Sequence, residues 1–212
     1  MSERTTPSVT LTTDERSAVL PVMAATEGAS GIVVGSVLAE TGLVTLDPGF
    51  TNTASCQSKI TFIDGDASVL HYRGYPIEQL ARQSSYLEVC YLLIHGELPT
   101  QTEMTAWERR LRRHTHLHEN FTDLIQAFPS SAHPMVVLSS AVAALAGYYP
   151  HSVDPFDPET VELATVLLLA KTPTIAAYAH KHSLRQELPA PSKSETFAGN
   201  FLRMAFTTPE VP

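Results

Sequence analysis

Cysteine, charge and long apolar runs are all scarce in this sequence. It has two cysteines among 212 residues, which excludes a disulfide scaffold and predicts a reducing, cytoplasmic environment. No stretch approaches 18 consecutive apolar residues, and the N-terminus lacks the apolar core of a signal peptide, so we predict neither membrane insertion nor secretion. Charged residues make up 17%, below the roughly one quarter of an average protein. The deficit suggests that another chain or domain covers part of the surface.

The sign of the charge and the missing motifs exclude several functions. The formal net charge is −8, with 14 basic against 22 acidic residues, and a nucleic-acid or anionic-membrane binder needs a basic surface. We therefore predict no nucleic-acid partner, although a local basic pocket stays compatible with this charge. The sequence contains no G-x-S-x-G, G-x-G-x-x-G or P-loop pattern, so the residues by themselves define no active site.

The pattern of apolar residues predicts a mainly α-helical fold with a small β region in front. Residues 1–17 are polar and rich in Ser and Thr, and we predict them to be disordered. Residues 18–74 contain short β-branched runs separated by turn signals, which predicts a small β-rich region. From residue 75 to 212 the periodicity is helical. Pro173 is expected to break the helical pattern between residues 170 and 173. The predicted helices are 76–83, 85–95, 101–114, 119–128, 134–149, 157–170, 173–183 and 194–206.

The segment 108–119 (ERRLRRHTHLHE) holds four of the 14 basic residues and three of the nine histidines. One interpretation is a helix C-terminus, where cations are favoured by about 0.3–1 kcal/mol each. Another is a pocket for an anion or nucleotide, because guanidinium groups bind phosphate in a bidentate way. A third is a metal bridged by His114 and His118 at i, i+4. No third ligand or HExxH pattern accompanies this pair, so we predict no metal site.

Two other places carry polar residues at suggestive spacings. Asp64 and Asp66 are spaced as in half of a calcium loop, but no bidentate Glu follows, and a tight turn between strands is the favoured interpretation. His133 precedes Pro134 at a helix start, where it is either a neighbour of the helix cap or a loop ligand.

Several runs of this sequence together resemble one family. The runs DPGFTNTASC (47–56), SKITFIDGD (58–66) and YRGYPIEQLA (72–81) are similar to the N-terminal part of bacterial hexamer-type (type II) citrate synthases. The resemblance covers roughly residues 18–210 and is most specific over 60–80. Further matching runs are YLEVCYLL (86–93), GELPT (96–100), RHT (113–115), HPM (133–135), AKTPT (170–174) and GNFL (199–202).

The resemblance implies a fold and an activity for the whole enzyme. Members of this family are mainly helical, with a large and a small domain, and condense acetyl-CoA with oxaloacetate to give citrate and CoA. Acid–base catalysis and stabilisation of developing negative charge carry that reaction. The family has no tightly bound cofactor, since acetyl-CoA is a substrate. It assembles as dimers or hexamers, and helices 134–149 and 157–183 are expected in the subunit interface.

The resemblance also implies where functional residues lie. The family's catalytic residues match positions beyond Phe206, so we assign none to this chain and expect the 212-residue polypeptide alone to be inactive. The alternative is a non-catalytic oligomerisation or interaction module, or a truncated gene product. The allosteric NADH pocket of Gram-negative relatives matches Arg113, His114, Thr115, Tyr149 and Lys171. A further arginine of that pocket is replaced by Leu167, which removes about 1.5–3 kcal/mol if its hydrogen bond was charge-assisted.

Overall fold

The computed structural model describes residues 7–207, and they form two compact units. The first unit is Met1–Leu98 and the second is Pro99–Pro212. We placed the border between the β-rich and helical regions after Gly74, whereas the units divide after Leu98. The change from strand to helix nevertheless occurs near Gly74, because α2 starts at Ile77. The expected mainly helical fold with small sheets is confirmed.

The first unit contains two three-stranded antiparallel sheets and three helices. Strands β1 to β3 pair in that order, and strands β4 to β6 do the same in the second sheet. The strands are β1 Ser8–Thr12, β2 Ser17–Met23, β3 Gly31–Ile32, β4 Thr61–Asp64, β5 Val69–Tyr72 and β6 Tyr75–Pro76, and the helices are α1 Val37–Thr41, α2 Ile77–Gln83 and α3 Tyr86–His95.

The first hairpin differs from the expectation of disorder over 1–17. Residues 1–6 lie outside the described residues, but Ser8–Thr12 forms β1 and pairs with β2, with Val9 opposite Leu20. The side chains of β1 are all exposed, so main-chain pairing rather than an apolar pattern holds this strand. Val9 and Leu11 alternate with polar residues as in a strand, but this signal is short and lies in a Ser- and Thr-rich segment. Residues 43–46, one of the short apolar runs in the region predicted to be β-rich, form no strand, and α1, which we did not predict, lies just before them.

Two turns of the second sheet follow from their residues. Tyr72 pairs with Tyr75, and the two residues between them, Arg73 and Gly74, have φ of +51° and +86°. A two-residue hairpin with positive φ at both central positions matches the twist of the strands. At the other end, the Asp64 carboxylate accepts the Ala67 N–H at 2.9 Å. This confirms the tight-turn interpretation of that aspartate.

The second unit is a helical assembly built around one long helix. Helix α7 contacts α4, α5, α6 and α8, and its inner face is lined by Ile175, Tyr178 and Ala179, which pack on buried residues of α5 and α6. The helices are α4 Gln101–His114, α5 Phe121–Gln126, α6 Pro134–Tyr148, α7 Pro158–Ser183 and α8 Phe197–Phe206, with a short 3-10 helix at Pro150–Ser152.

Local signals set the helix starts correctly in several places. Ser85 and Thr100, residue types that favour N-cap positions, each form a capping box with the glutamate three residues later. In the first of these, the Ser85 N–H donates to the Glu88 carboxylate at 2.6 Å, and the Ser85 hydroxyl accepts the Glu88 N–H at 3.3 Å. These bonds satisfy N–H groups that no helical carbonyl can reach. Pro134 occupies the first turn of α6 as expected.

The predicted break at Pro173 is wrong, because α7 runs unbroken from Pro158 to Ser183. Proline removes one helical hydrogen bond, but contacts of α7 with the surrounding helices keep this segment helical. By length and composition, the 26-residue helix is also long and apolar enough to cross a membrane. The search for 18 consecutive apolar residues did not detect it. A core helix passes the same test. Here Lys171 and Lys181 are buried against protein groups along it.

Candidate functional site

The C-terminal end of α4 is fixed to the middle of α7 by a buried lysine. The side chain of Lys171 is 2% exposed. Its ammonium donates to the carbonyl of His114 at 2.8 Å and also to the carbonyl of His116. The last carbonyls of a helix have no helical donor and carry partial negative charge. Lys171 therefore supplies both the hydrogen bonds and the charge that this helix end requires.

Two more contacts complete the attachment. The ring of Tyr149, which follows α6, lies under the Lys171 ammonium, with 4.8 Å from the nitrogen to the ring centroid. This distance is within the range of a cation–π interaction. One turn further along the face of α7, the buried hydroxyl of Thr174 donates to the carbonyl of Thr115 at 3.0 Å. Three consecutive carbonyls, 114 to 116, are thus bonded to side chains of α7.

The imidazole of His114 lies in a positive environment. Burial lowers its pKa below the usual 6.5, and the nearby charges of Lys171, Arg110 and Arg113 lower it further. Both causes disfavour the protonated form. His114 is therefore a neutral residue at pH 7 within a cationic region, where it does not itself add charge to an anion-binding surface.

The predicted set of five residues is brought together only in part. Four of them, His114, Thr115, Tyr149 and Lys171, belong to the attachment described above, where His114 and Thr115 contribute their main-chain carbonyls. The fifth, Arg113, is exposed and lines a groove on the outer side of α4 instead. Leu167, one turn before Lys171 on α7, is 4% exposed and belongs to the apolar interior.

A groove beside α4 in the second unit is lined mainly by basic residues. It has a volume of about 450 Å³ and is lined by Thr105, Glu108, Arg109, Arg112, Arg113, His116 and Lys193. Lys193 reaches it from the segment between α7 and α8, and the Arg112 guanidinium donates to the Lys193 carbonyl at 3.4 Å. Glu108 is 3.5 Å from Arg112 across one helical turn. We call these seven residues the basic groove.

Sequence reasoning missed several members of both sites. Lys193 lies about eighty residues from Arg112 in the chain, and no local pattern joins the two. Thr174 reads as an ordinary helical residue, and only its burial in α7 shows its function. The arginines at 109 and 112 stood in the segment that we singled out, and their i, i+3 spacing was the signal that could have placed them on one face.

The histidines that raised the question of a metal have other partners. The ring of His118 packs on Tyr148, with 5.2 Å between centroids, and its Nδ1 accepts the Asn120 N–H at 3.3 Å. His133 caps α6, because its Nδ1 accepts the Met135 N–H at 3.2 Å. Within residues 7–207 no three His, Cys, Asp or Glu side chains are grouped as metal ligands would be.

Comparison with known protein families finds one family that matches the greater part of the sequence. A family model described as "Citrate synthase, C-terminal domain" matches residues 49–212. Citrate synthase 1 of Mycobacterium tuberculosis is 53% identical over 193 residues, which are 91% of this chain and 45% of that protein. Citrate synthase of Corynebacterium glutamicum is 46% identical over the same share of the chain and 44% of its own length.

Comparison with solved structures gives the same result for the fold. The crystal structure of citrate synthase from Pyrobaculum aerophilum matches with a TM-score of 0.68 at 35% identity, covering 81% of this chain and 46% of that one. Citrate synthase from Thermotoga maritima matches with a TM-score of 0.64 at 27% identity, covering 76% and 42%. The chain therefore spans a little less than half the length of the relatives it matches.

Proposed function

Since this chain belongs to the citrate synthase family, we propose that the protein containing it condenses acetyl-CoA with oxaloacetate to give citrate and CoA. The observation that carries this proposal is the identity of about half of the residues with two bacterial citrate synthases over nine tenths of the chain. We further propose a cytoplasmic enzyme with no tightly bound cofactor.

The part of the reaction that this chain contributes is scaffolding rather than catalysis. The resemblance implies that the catalytic groups of the family match positions beyond Phe206, so we expect no CoA release from the 212-residue polypeptide alone. The experiment compares this polypeptide with the protein that also carries the remaining family segment. Thiol release that requires both substrates in the longer protein supports the function. A folded longer protein without such turnover would refute it.

We propose that the subunits associate through the outer face of α6, as in the hexamer-type enzymes that the sequence resembles. The inner face of this helix is buried through Val137, Ala141 and Leu145. Its other side exposes Val136 at 52%, together with the small residues Ala143 and Gly147. Small residues let two helices approach closely. Light scattering after gel filtration tests this, and a monomer at all concentrations would contradict it.

An allosteric role for Arg113, His114, Thr115, Tyr149 and Lys171 also remains our proposal, with different tasks for the five. Lys171 and Tyr149 hold the loop after α4 in place, while the exposed Arg113 is free to meet an anionic effector. NADH titration by calorimetry on the wild-type chain and on Arg113→Gln tests this division. Binding that is weaker in the variant supports it, and equal binding to both proteins overturns it.

A further inference from the structure

Most cations of the basic groove have no carboxylate partner among residues 7–207. Within the described part of the chain, Arg109, Arg113 and Lys193 have no ion pair with a carboxylate. In contrast, Arg110 on the same helix pairs with Glu162 of α7. The groove contains four permanent cations and one carboxylate, Glu108, in a chain whose net charge is −8. Like charges held together repel one another, so a bound anion relieves this repulsion.

The cations are arranged in a row. Arg109, Arg112, Arg113 and His116 are spaced by three, one and three residues, so they follow one face from the last two turns of α4 into the residues after it. At 1.5 Å rise per residue, the part of this row inside α4, from Arg109 to Arg113, extends over about 6 Å, and His116 continues it beyond the helix end. A single tetrahedral phosphate contacts only part of such a row, whereas linked phosphates reach along it. Lys193 closes the opposite side of the groove.

The remaining lining shows which part of a ligand is recognised. Apart from the five basic residues it consists of Thr105 and Glu108, and His116 is its one ring. The groove is lined by no apolar or aromatic residue that would bury a purine or nicotinamide ring, and such a ring would meet only the aliphatic stems of the basic side chains. Its volume of about 450 Å³ lies within the range of small-molecule sites, about 300–1,000 Å³. Recognition must therefore come from charge-assisted hydrogen bonds.

We propose that the basic groove is a binding site for a linear di- or triphosphate group, either as a free anion or as the tail of a nucleotide. It is distinct from the attachment around Lys171, whose ammonium is already bonded to two carbonyls and is buried. Binding at this site requires no catalytic turnover, so the binding experiment tests it independently of the proposed citrate synthase activity.

The test is calorimetric titration of the 212-residue chain with tripolyphosphate, ATP, AMP and inorganic phosphate. We expect tripolyphosphate and ATP to bind with similar affinity, and AMP and phosphate to bind more weakly. We also expect binding to weaken as salt is raised, because exposed charges are screened. AMP binding as tight as ATP would show recognition of the base and would overturn the proposal, as would the absence of saturable tripolyphosphate binding.

Matched variants separate the groove from the general charge of the chain. Arg109→Gln and Lys193→Gln each remove one groove cation, and we expect each to weaken tripolyphosphate binding about fivefold, the upper end for one exposed ion pair. Arg110→Gln removes the same charge from the same helix, but outside the groove. If it weakens binding as much as Arg109→Gln does, then long-range attraction alone explains the affinity and the groove is not the site.

Discussion

Replacing Lys171 with methionine tests how the C-terminal end of α4 is held. Methionine has a similar length and keeps the apolar contacts of the stem, but it leaves the carbonyls of His114 and His116 without their donor. A buried acceptor without a partner costs about 1–3 kcal/mol. His116 is exposed, so its carbonyl regains a water molecule in part. Removing a buried ammonium also recovers some desolvation energy. We therefore expect a loss of about 2–4 kcal/mol in the free energy of unfolding.

The assay is urea denaturation followed by tryptophan fluorescence. The chain has one tryptophan, Trp107, which is 5% exposed and lies in α4 itself, so the signal reports the helix under test. The matched control is Lys193→Met, the same substitution at an exposed position, which we expect to change stability by less than about 0.5 kcal/mol. A Lys171→Met midpoint equal to that of the control would refute the attachment.

Three further predictions concern neighbouring groups and the cysteines. The pKa of His114 is lowered in the folded chain, so the unfolded chain takes up a proton first and the free energy of unfolding falls as pH drops below about 6.5. His114→Gln should flatten this fall, measured as denaturation midpoints between pH 7.5 and 5.5. Parallel pH curves for the wild type and the variant would contradict this. Thr174→Val removes the hydroxyl that donates to the Thr115 carbonyl and should cost about 1–3 kcal/mol of unfolding free energy, with an unchanged midpoint as the contrary result. Burial raises the pKa of the Cys90 thiol, whereas Cys56 is exposed; iodoacetamide at pH 8 should therefore modify Cys56 first by mass spectrometry, and equal rates would show that Cys90 is accessible.

Much of the helical architecture could be read from the sequence because its signals are local. Ser85 and Thr100 cap the helices that follow them, and α6 begins at its proline. The continuous α7 could not be read in this way, because packing from the surrounding helices overrides the helix-breaking tendency of Pro173. The hairpin of β1 was missed for a different reason: β1 pairs with β2 across a short turn, with Thr12 opposite Ser17, but its alternating Val9 and Leu11 give only a short signal within a polar N-terminus.

The sequence predicted which kinds of residue form the candidate site, but it did not predict how they are arranged. The segment 108–119 attracted attention because it concentrates cations, and the structure shows two separate arrangements within it. One is the buried attachment of the α4 end to Lys171, and the other is the basic groove. Which face each residue occupies depends on the packing of α4 on α7 and on the position of Lys193. Both depend on residues far from 108–119 in the chain, so no local pattern in that segment predicts them.

The measurement that tests the central claim most directly is CoA release by a joined protein. The 212 residues are fused to the remaining part of Citrate synthase 1 of Mycobacterium tuberculosis, whose matching portion is 53% identical. We predict thiol release that depends on both acetyl-CoA and oxaloacetate, and none from the 212 residues alone. A fusion that is folded, as shown by a cooperative unfolding transition, but releases no CoA would contradict the proposal that this chain serves as the scaffold of a citrate synthase.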